Sequence, residues 1–332
     1  MNNNPVIAIA GAGSIGCFVG SLLVADGRDV VFLARPRMRE TLKSQGIHLT
    51  DYAGLDLHLS PEQLDVQDSP EALAKADVIL VCVKSGATAT MAETIRAHAK
   101  DDAVVISLQN GVRNGEILSS ILPHHDVRSG MVPFNVVQVE PAHFHRGTSG
   151  AILVETGEPD MAEVLAAGHL EIVSLPDMKN IQWGKLLINL SNALNALADI
   201  PLLDQISDRK WRRATALQID EAMQVLKAEG IKPVLPVPLP AFLLSFVLRL
   251  PNPLFKRIAK RMLTIDPRAH ASMWKDLKHG KPTEINELQG EIIRLGEKHG
   301  IATPYNFRVE QKILEAEKAG SGPPGLGADL FL

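Results

Sequence analysis

Apolar and polar positions along the first half of the chain predict short strands separated by helices. The strand-like blocks are mostly apolar runs of five or six residues: VIAIA (6–10), VVFLA (30–34), VILVCV (78–83) and AVVISL (103–108). Strands that are buried on both faces need such continuous runs, and helices on each side of a parallel sheet supply the cover. The first half is therefore predicted to form a Rossmann-type, doubly wound α/β sheet.

The pattern changes after AILVE (151–155) and EIVSLPD (171–177), where longer helical periodicities take over. A chain of 332 residues is also long enough for two domains. We therefore expect an α/β domain over residues 1–175 and an all-α domain over residues 176–332. The last stretch, 318–332, is rich in Gly and Pro and is expected to be a flexible tail.

One helix of the second half carries an unusual set of polar residues. In WGKLLINLSNALNAL (183–197), Asn189 lies ~40° around the helix from Lys185, and Asn192 lies ~20° to the other side. Such a stripe is typical of a solvent-facing surface. Asparagine, however, is a mediocre helix former, so we favour a helix that lines a cavity. Asn195 lies ~80° from the lysine and fits this stripe less well.

A glycine motif follows the first predicted strand. The segment VIAIAGAGSIGCFVG contains Gly11, Gly13 and Gly16 in the spacing GxGxxG, between a strand and a helix. In this setting the pattern predicts a dinucleotide-binding loop, with the phosphates at the helix N-terminus. Gly11 would permit the tight turn, Gly13 the approach of the pyrophosphate, and Gly16 the packing of helix on strand. Ser14 and Ile15 complete the expected cofactor contacts.

The end of the second strand indicates which nicotinamide cofactor is preferred. A carboxylate about 20 residues beyond the glycine loop binds the ribose 2′-hydroxyl of NAD(H) in such domains. Here the sequence reads LARPRMR, with no carboxylate before Glu40. Because a guanidinium can bind a phosphate with two hydrogen bonds, we expect NADP(H), with Arg35 at the 2′-phosphate. Arg37 and Arg39 fit a basic surface loop equally well.

Two further polar residues follow predicted strands. Lys84 in VCVKS and Asn110 in SLQNG lie just beyond the strand ends. Ligands of open parallel sheets bind beyond the carboxyl ends of the strands, so both residues are candidates for cofactor or substrate contact. The alternatives are an exposed lysine and a simple Asn-Gly turn.

Composition and apolar patterning argue against several other classes of protein. A formal net charge of −4 is unlike the basic balance of a nucleic-acid-binding protein. The most apolar stretch, 233–251, is interrupted by prolines and Arg249 and is too short to span a membrane. It is expected to form a pocket wall or a contact between copies in a homodimer. Because strand character begins after only four residues, we expect no secretory signal and a cytoplasmic protein.

Cysteines and histidines give no sign of a metal site. Cys17 and Cys82 lie in apolar contexts that predict buried, reduced thiols. Among eleven histidines, the pairs His124/His125 and His143/His145 lack the spacing of metal-binding motifs. We therefore predict no metal ligands and place these histidines in loops or on the surface.

Lys185 is the candidate for the chemistry. Hydride transfer to a carbonyl produces a negative oxygen, which needs a proton donor and a positive charge nearby. A lysine in a partly dry pocket has its pKa pulled towards working pH, so Lys185 could act as general acid, with Asn189 and Asn192 as partners. Further along, in ASMWKDLKHGKPTEINELQG, Ser272 precedes a short helical piece. Glu284 falls in the first turn of the next helix, where the helix dipole alone also favours a glutamate.

Taken together, these motifs resemble the ketopantoate reductase (2-dehydropantoate 2-reductase) family nearly from end to end. The segments that carry the resemblance are GAGSIG, the arginine-bearing end of the second strand, VKS, QNGV, HFHRGTSG, KLLIN, SMWKDLKHGKPTEI and GIATPYN. The resemblance implies NADPH-dependent reduction of the 2-oxo group of ketopantoate to pantoate, a step towards pantothenate and coenzyme A. It implies that Lys185 is the acid/base residue and that Asn189 contacts substrate. Ser272 would lie near the substrate carboxylate, with Glu284 close to Lys185 and the substrate hydroxyl.

By the same resemblance, Lys84 and Asn110 would lie by the nicotinamide end of the cofactor and Arg35 by the 2′-phosphate. Three expected asparagines of the substrate pocket are absent, at the positions of Ala193, Leu202 and Ala269. Because these amides are absent and the segment 233–251 is apolar, two substrates are compatible with the sequence: ketopantoate, or a bulkier, less polar 2-oxo acid. An NADP-sensing regulator without turnover is the alternative of another class.

Overall fold

The computed structural model describes residues 4–259 and 269–332 and separates the chain into two units, Met1–Met178 and Lys179–Leu332. The first contains a mixed, mostly parallel sheet with helices, and the second is helical, so the predicted fold class is confirmed. Within the described residues, no helix combines the length and the apolar character needed to cross a membrane.

The first unit alternates strands with helices. Its strands are β1 (Ile7–Ala10), β2 (Val30–Leu33), β3 (Ile47–Asp51), β4 (Asp56–Leu59), β5 (Asp65–Gln67), β6 (Val78–Val81), β7 (Val104–Ser107), β8 (Asp126–Met131), β9 (Val136–Glu140), β10 (His143–Arg146), β11 (Ile152–Glu155) and β12 (Ile172–Leu175). Its helices are α1 (Ser14–Ala25), α2 (Pro36–Gln45), α3 (Thr88–His98), α4 (Asn114–Ile121) and α5 (Met161–Val164).

Eight of the strands form one sheet in the order β12-β11-β8-β7-β6-β1-β2-β5. All neighbours pair in parallel except β8 and β11, which are antiparallel. Alternate residues of β1 enter different cores: Ile7 and Ile9 pack on one side of the sheet, and Ala8 and Ala10 on the other. Both faces are covered, which explains why this strand is apolar at every position.

A second sheet, in the order β4-β3-β10-β9, was not predicted. In β3 and β4 the buried residues Leu49 and Leu59 alternate with more exposed polar residues, because only one face is covered. The expectation that His143 and His145 lie in loops or on the surface is wrong. Both are half-buried in β10, where His143 pairs with His48 of β3.

The cysteines lie beside the central strands. Cys17 is buried within α1, Cys82 is half-buried directly after β6, and both are free thiols. Burial raises the pKa of both, that of Cys82 to about 12. Neither thiol is therefore ionised near neutral pH.

The described residues of the second unit form helices packed on one another. These helices are α6 (Met178–Asn189), α7 (Ser191–Ala198), α8 (Leu202–Ser207), α9 (Arg209–Ala228), α10 (Ala241–Arg249), α11 (Asn252–Ile258), α12 (Ser272–Lys278), α13 (Ile285–His299) and α14 (Pro304–Ala319). A buried polar network joins three of them: Gln289 of α13 donates to Gln218 of α9 (2.9 Å), and Asn306 of α14 donates to the Gln218 carbonyl (3.1 Å). Burial of this network fixes α9, α13 and α14 relative to one another.

The expectation of a flexible tail over residues 318–332 is wrong. Helix α14 continues to Ala319, and Phe331 is buried against Trp211 of α9 with the ring centroids 5.9 Å apart. The backbone N–H of Leu326 also donates to the carbonyl of Leu197 (2.8 Å). The glycines that suggested a tail provide turns, and Ala328 and Phe331 beyond them are buried.

The apolar segment 233–251 starts as irregular chain and continues as α10. Its first part is tied to α6, because the N–H of Val234 donates to the carbonyl of Asn180 (2.9 Å). Helix α10 packs against α9 but leaves Phe242 and Phe246 exposed, at 72% and 63% of their surfaces. The segment therefore supports α6 at one end and presents an apolar surface at the other.

Candidate active site

The three glycines between β1 and α1 occupy different environments. Gly11 has a φ of +114°, which favours glycine, and a Cβ there would lie 2.7 Å from Cγ1 of Val83. A Cβ on Gly16 would lie 2.2 Å from the Gly11 carbonyl oxygen, so the helix can pack this closely only without a side chain. A Cβ on Gly13 would meet nothing within 4 Å. Gly13 caps α1, whose first residues are Ser14 and Ile15, so the loop leaves space at a helix N-terminus, as a pyrophosphate requires.

The arginine segment begins where β2 ends. Arg35 is the N-cap residue of α2, and its side chain is exposed, as is that of Arg37. Arg39 instead forms an ion pair with Asp68, with Nε and Oδ1 3.5 Å apart. Sequence spacing missed this carboxylate because Asp68 follows β5, the strand beside β2. Its pairing with Arg39 leaves Arg35 as the exposed guanidinium closest to the end of β2.

Lys84 and Asn110 follow β6 and β7 and are held by a buried polar network. Ser85, the residue after Lys84, donates its hydroxyl to the Asn110 carbonyl (2.8 Å). Asn114 of α4 donates its amide to the Ser85 hydroxyl (3.1 Å), and Gln109 donates to the carbonyl of Val83 (3.0 Å). The two loops therefore keep a fixed separation. Sequence reasoning gave no role to Ser85, Gln109 or Asn114, although Ser85 and Gln109 belong to the VKS and QNG motifs.

Lys185 lies within α6 and is partly buried. Burial disfavours its ammonium form, and the negative charge of Glu284 acts in the opposite direction, with the net effect that the pKa is lowered to about 8. Glu284 stands directly before α13 as its N-cap residue. The fold thus brings a lysine and a glutamate from distant parts of the chain within electrostatic reach. A lysine with this pKa can donate a proton near neutral pH and regain it from solvent.

Gly184 packs helix α6 tightly against the apolar segment. A Cβ at this position would lie 1.8 Å from the carbonyl oxygen of Val234 and 3.0 Å from the N atom of Leu235. Only glycine allows the two backbones to come so close. The start of the apolar segment therefore lies against Gly184, the residue before Lys185, and this contact fixes the backbone of that turn of α6.

The single helix predicted over residues 183–197 is interrupted at Leu190. Helix α6 ends at Asn189 and α7 begins at Ser191, and the Leu190 carbonyl accepts a hydrogen bond from the buried amide of Gln289 (2.9 Å). Leu190 itself keeps helical backbone angles (φ −56°, ψ −26°), and its N–H donates to the Leu186 carbonyl (3.0 Å), so α6 and α7 follow one another with only a local irregularity. Asn192 is half-buried on α7.

Asn195 holds the backbone near the candidate substrate serine. It is fully buried, its amide donates to the Ile200 carbonyl (2.9 Å), and its carbonyl oxygen accepts the N–H of Ala271 (2.9 Å). Ala271 is the N-cap residue of α12, whose first residue, Ser272, is exposed. Asn195 therefore positions the start of α12. Sequence reasoning missed this role because its partner lies 76 residues away.

The positions that lack expected asparagines lie in apolar or backbone-bonded surroundings. Ala193 is fully buried in α7. Leu202, at the start of α8, donates its backbone N–H to the carbonyl of Ala269 (2.8 Å). Two of the three positions are therefore neighbours, and together they replace amide groups with aliphatic ones.

Comparisons with known proteins cover almost the whole chain. Residues 7–159 match the family model of ketopantoate reductase PanE/ApbA, and residues 177–317 match the model of its C-terminal part. The 2-dehydropantoate 2-reductase of Halobacterium salinarum is 26% identical over 326 residues, covering 95% of this chain and 99% of that protein.

Solved structures share the fold. A PanE/ApbA family ketopantoate reductase from Ralstonia eutropha superposes with a TM-score of 0.82 and 28% identity, over 95% of this chain and 99% of that one. A ternary structure of D-mandelate dehydrogenase with NADH and anilino(oxo)acetate gives a TM-score of 0.79 at 20% identity, over 95% and 99% of the two chains. At that identity, the second similarity concerns the fold alone.

Proposed function

The chain belongs to the ketopantoate reductase family, as its motifs predicted, and from this premise we propose that it reduces the 2-oxo group of 2-dehydropantoate with NADPH. The observation that carries the proposal is Lys185, whose pKa is lowered to about 8 beside the charge of Glu284. A lysine of ordinary pKa would hold its proton too tightly to serve as an efficient general acid near neutral pH.

The candidate site residues of the second unit have distinct roles in the proposed reaction. NADPH, when bound, supplies the hydride to the 2-oxo carbon. Lys185 donates a proton to the oxygen as negative charge develops on it, and its positive charge stabilises that oxygen beforehand. Asn189, one helical turn further along α6, donates a hydrogen bond that orients the substrate, and Asn192 is a second candidate for this role. Glu284 favours the protonated form of Lys185 between turnovers.

The substrate carboxylate is expected to bind at Ser272. The hydroxyl of Ser272 lies on the first residue of α12, and a helix start also offers backbone N–H groups to an anion. Asn195 acts through Ala271 and is a positioning residue. This arrangement accounts for a 2-oxo acid, since the acid group and the oxo group are recognised by different residues.

The preference for NADPH rests on the arginine segment. Arg35 is exposed after β2, and Asp68, which follows the neighbouring strand β5, is paired with Arg39. A 2′-phosphate would therefore meet a guanidinium at this place. Gly13, with open space over the start of α1, suits the pyrophosphate, while Lys84 and Asn110 are the proposed contacts of the nicotinamide end.

A second candidate is the reduction of a bulkier, less polar 2-oxo acid. It is favoured by Ala193 and by the neighbouring pair Leu202 and Ala269, where aliphatic groups stand in place of amides. An apolar wall binds extra methylene groups favourably, whereas lost amides weaken binding of the ketopantoate hydroxyl.

One assay separates these candidates. NADPH oxidation is followed with ketopantoate, branched 2-oxo acids and phenylglyoxylate, and the highest kcat/KM identifies the substrate class. Lys185→Ala should retain NADPH binding but lose about 10²–10⁴-fold in rate, the usual contribution of a general acid. Absence of NADPH oxidation with every 2-oxo acid, despite NADPH binding, would instead identify a sensor of NADP(H).

We also propose that α10 mediates a homodimer. Phe242 and Phe246 are one helical turn apart and largely exposed, so they form an apolar surface that a second copy could cover. Light scattering should give twice the monomer mass, and Phe246→Ser should shift it to the monomer value. A wild-type monomer at micromolar concentration would contradict this assembly.

A further inference from the structure

A row of polar side chains crosses the second sheet of the first unit. His58, His48, His143 and Glu140 occupy successive paired positions on β4, β3, β10 and β9. The ring of His48 stacks on both neighbouring imidazoles, with centroids 3.9 Å from His58 and 4.1 Å from His143. All four residues line a cavity of about 500 Å³. None of them belongs to the residues assigned to the reductase reaction.

Asp56 adds a carboxylate to one end of this row. It precedes His58 by two residues in β4, so both side chains lie on the same face of the strand. Its Oδ1 atom is 2.7 Å from Nε2 of His48 and 3.3 Å from Nε2 of His58. These three potential ligand atoms all lie within 4.8 Å of one another.

We propose that His48, Asp56 and His58 bind one divalent transition-metal ion of the Zn²⁺ type. Imidazole nitrogen and carboxylate oxygen bind Zn²⁺ at about 2.0–2.2 Å, so tetrahedral ligand atoms stand roughly 3.3 Å apart. The separation between Asp56 and His58 already has this value, and the hydrogen bond between Asp56 and His48 opens by a few tenths of an ångström. Mg²⁺ and Ca²⁺ prefer all-oxygen sites and are disfavoured by two imidazoles.

The surroundings allow the small rearrangement that binding needs. The two imidazoles are nearly parallel, at 14°, so at least one ring must turn to direct its lone pair at a shared ion. The side chains of His58 and Asp56 are 68% and 71% exposed, and either can rotate without disturbing the core. His48 is 30% exposed and is held between two rings, so it provides the fixed ligand. Three protein ligands leave a coordination position for water or for a small anionic ligand.

A bound ion would link strands β3 and β4 and so stabilise their pairing. The three ligands come from the two strands of one antiparallel pair, joined by a short turn. An ion bound only by the folded pair stabilises it in proportion to the logarithm of the ion concentration. The proposal does not depend on the reductase reaction, because no ligand is shared with it.

Calorimetric titration of the full chain, without a polyhistidine tag and after removal of metal by a chelator, tests this site. With Zn²⁺ and millimolar Mg²⁺ present, we expect saturable binding of one ion per chain in the micromolar range. His58→Ala and Asp56→Asn should each weaken it by about tenfold or more, since each removes a direct ligand. His124→Ala, which removes an exposed histidine of the same unit, is the matched control and should bind as the wild type does.

A second readout distinguishes a built site from scattered histidines. Co²⁺ should give visible absorption bands in the wild type and in His124→Ala but not in His58→Ala. The proposal is overturned if the wild type and His58→Ala bind Zn²⁺ equally, or if the wild type does not saturate below millimolar Zn²⁺. NADPH oxidation by His58→Ala should equal that of the wild type, so failure of the reductase assignment is measured separately.

Discussion

The rate of 2-oxo acid reduction is expected to fall above pH 8, because Lys185 must carry the proton that it donates. Burial lowers the pKa of Lys185 to about 8, so its ammonium form is lost as the pH rises through that value. About nine-tenths of the lysine is then protonated at pH 7, about one-tenth at pH 9 and about one-hundredth at pH 10. The rate should therefore decrease roughly 90-fold between pH 7 and pH 10, whereas a lysine of ordinary pKa would lose less than about twofold.

The measurement is kcat/KM for NADPH oxidation at constant ionic strength, because this parameter reports ionisations of the free protein. Lys185→Arg is the matched control, since it keeps a positive charge whose pKa is above about 12. Its residual activity should show no break near pH 8. Glu284→Gln removes the charge that raises the pKa of Lys185, so the break should move to lower pH. A wild-type profile that stays level to pH 10, or an unchanged break in Lys185→Arg, would refute the reasoning.

The geometry of single residues gives four further predictions. Gly13→Ala should keep the wild-type melting temperature yet bind NADPH about tenfold more weakly in a fluorescence titration, because its Cβ enters the proposed pyrophosphate space. Gly16→Ala should instead lower the melting temperature, since its Cβ would lie 2.2 Å from a backbone oxygen. Arg35→Ala should raise the Kd of NADPH by roughly tenfold but leave that of NADH nearly constant; equal losses would contradict a 2′-phosphate contact. Asn195→Ala leaves the buried N–H of Ala271 unbonded, so it should lower stability by about 1–3 kcal/mol and raise KM more than it lowers kcat; an unchanged KM would exclude the positioning role.

The centre of the large sheet could be predicted because its strands are mostly apolar runs, whereas the more polar β5 and β8 were not predicted. β1, β6 and β7 are buried at every position, and such strands stand out in the sequence. The second sheet could not be predicted in this way. Its strands are short, carry His, Thr and Asp on one face, and pair across a long interval, since β3 lies beside β10.

The candidate site divides along similar lines. The glycine loop, Lys185 and Glu284 could be named because each belongs to a local motif, although their roles stay predictions. The Leu190 carbonyl, between α6 and α7, accepts a hydrogen bond from Gln289, and the role of Asn195 depends on Ala271. Partners so far along the chain leave no trace in helical periodicity, so neither contact could be predicted.

The packing of Phe331 against Trp211 has consequences for tagging the protein and for detecting its proteolysis. An affinity tag attached after Leu332 would begin two residues after the buried ring of Phe331 and could displace it. Proteolytic removal of the final residues would expose the indole of Trp211 to water and shift its fluorescence to longer wavelength. Because the chain has three tryptophans, only part of the total emission would shift, and the size of the shift reports whether Phe331 is still packed on Trp211.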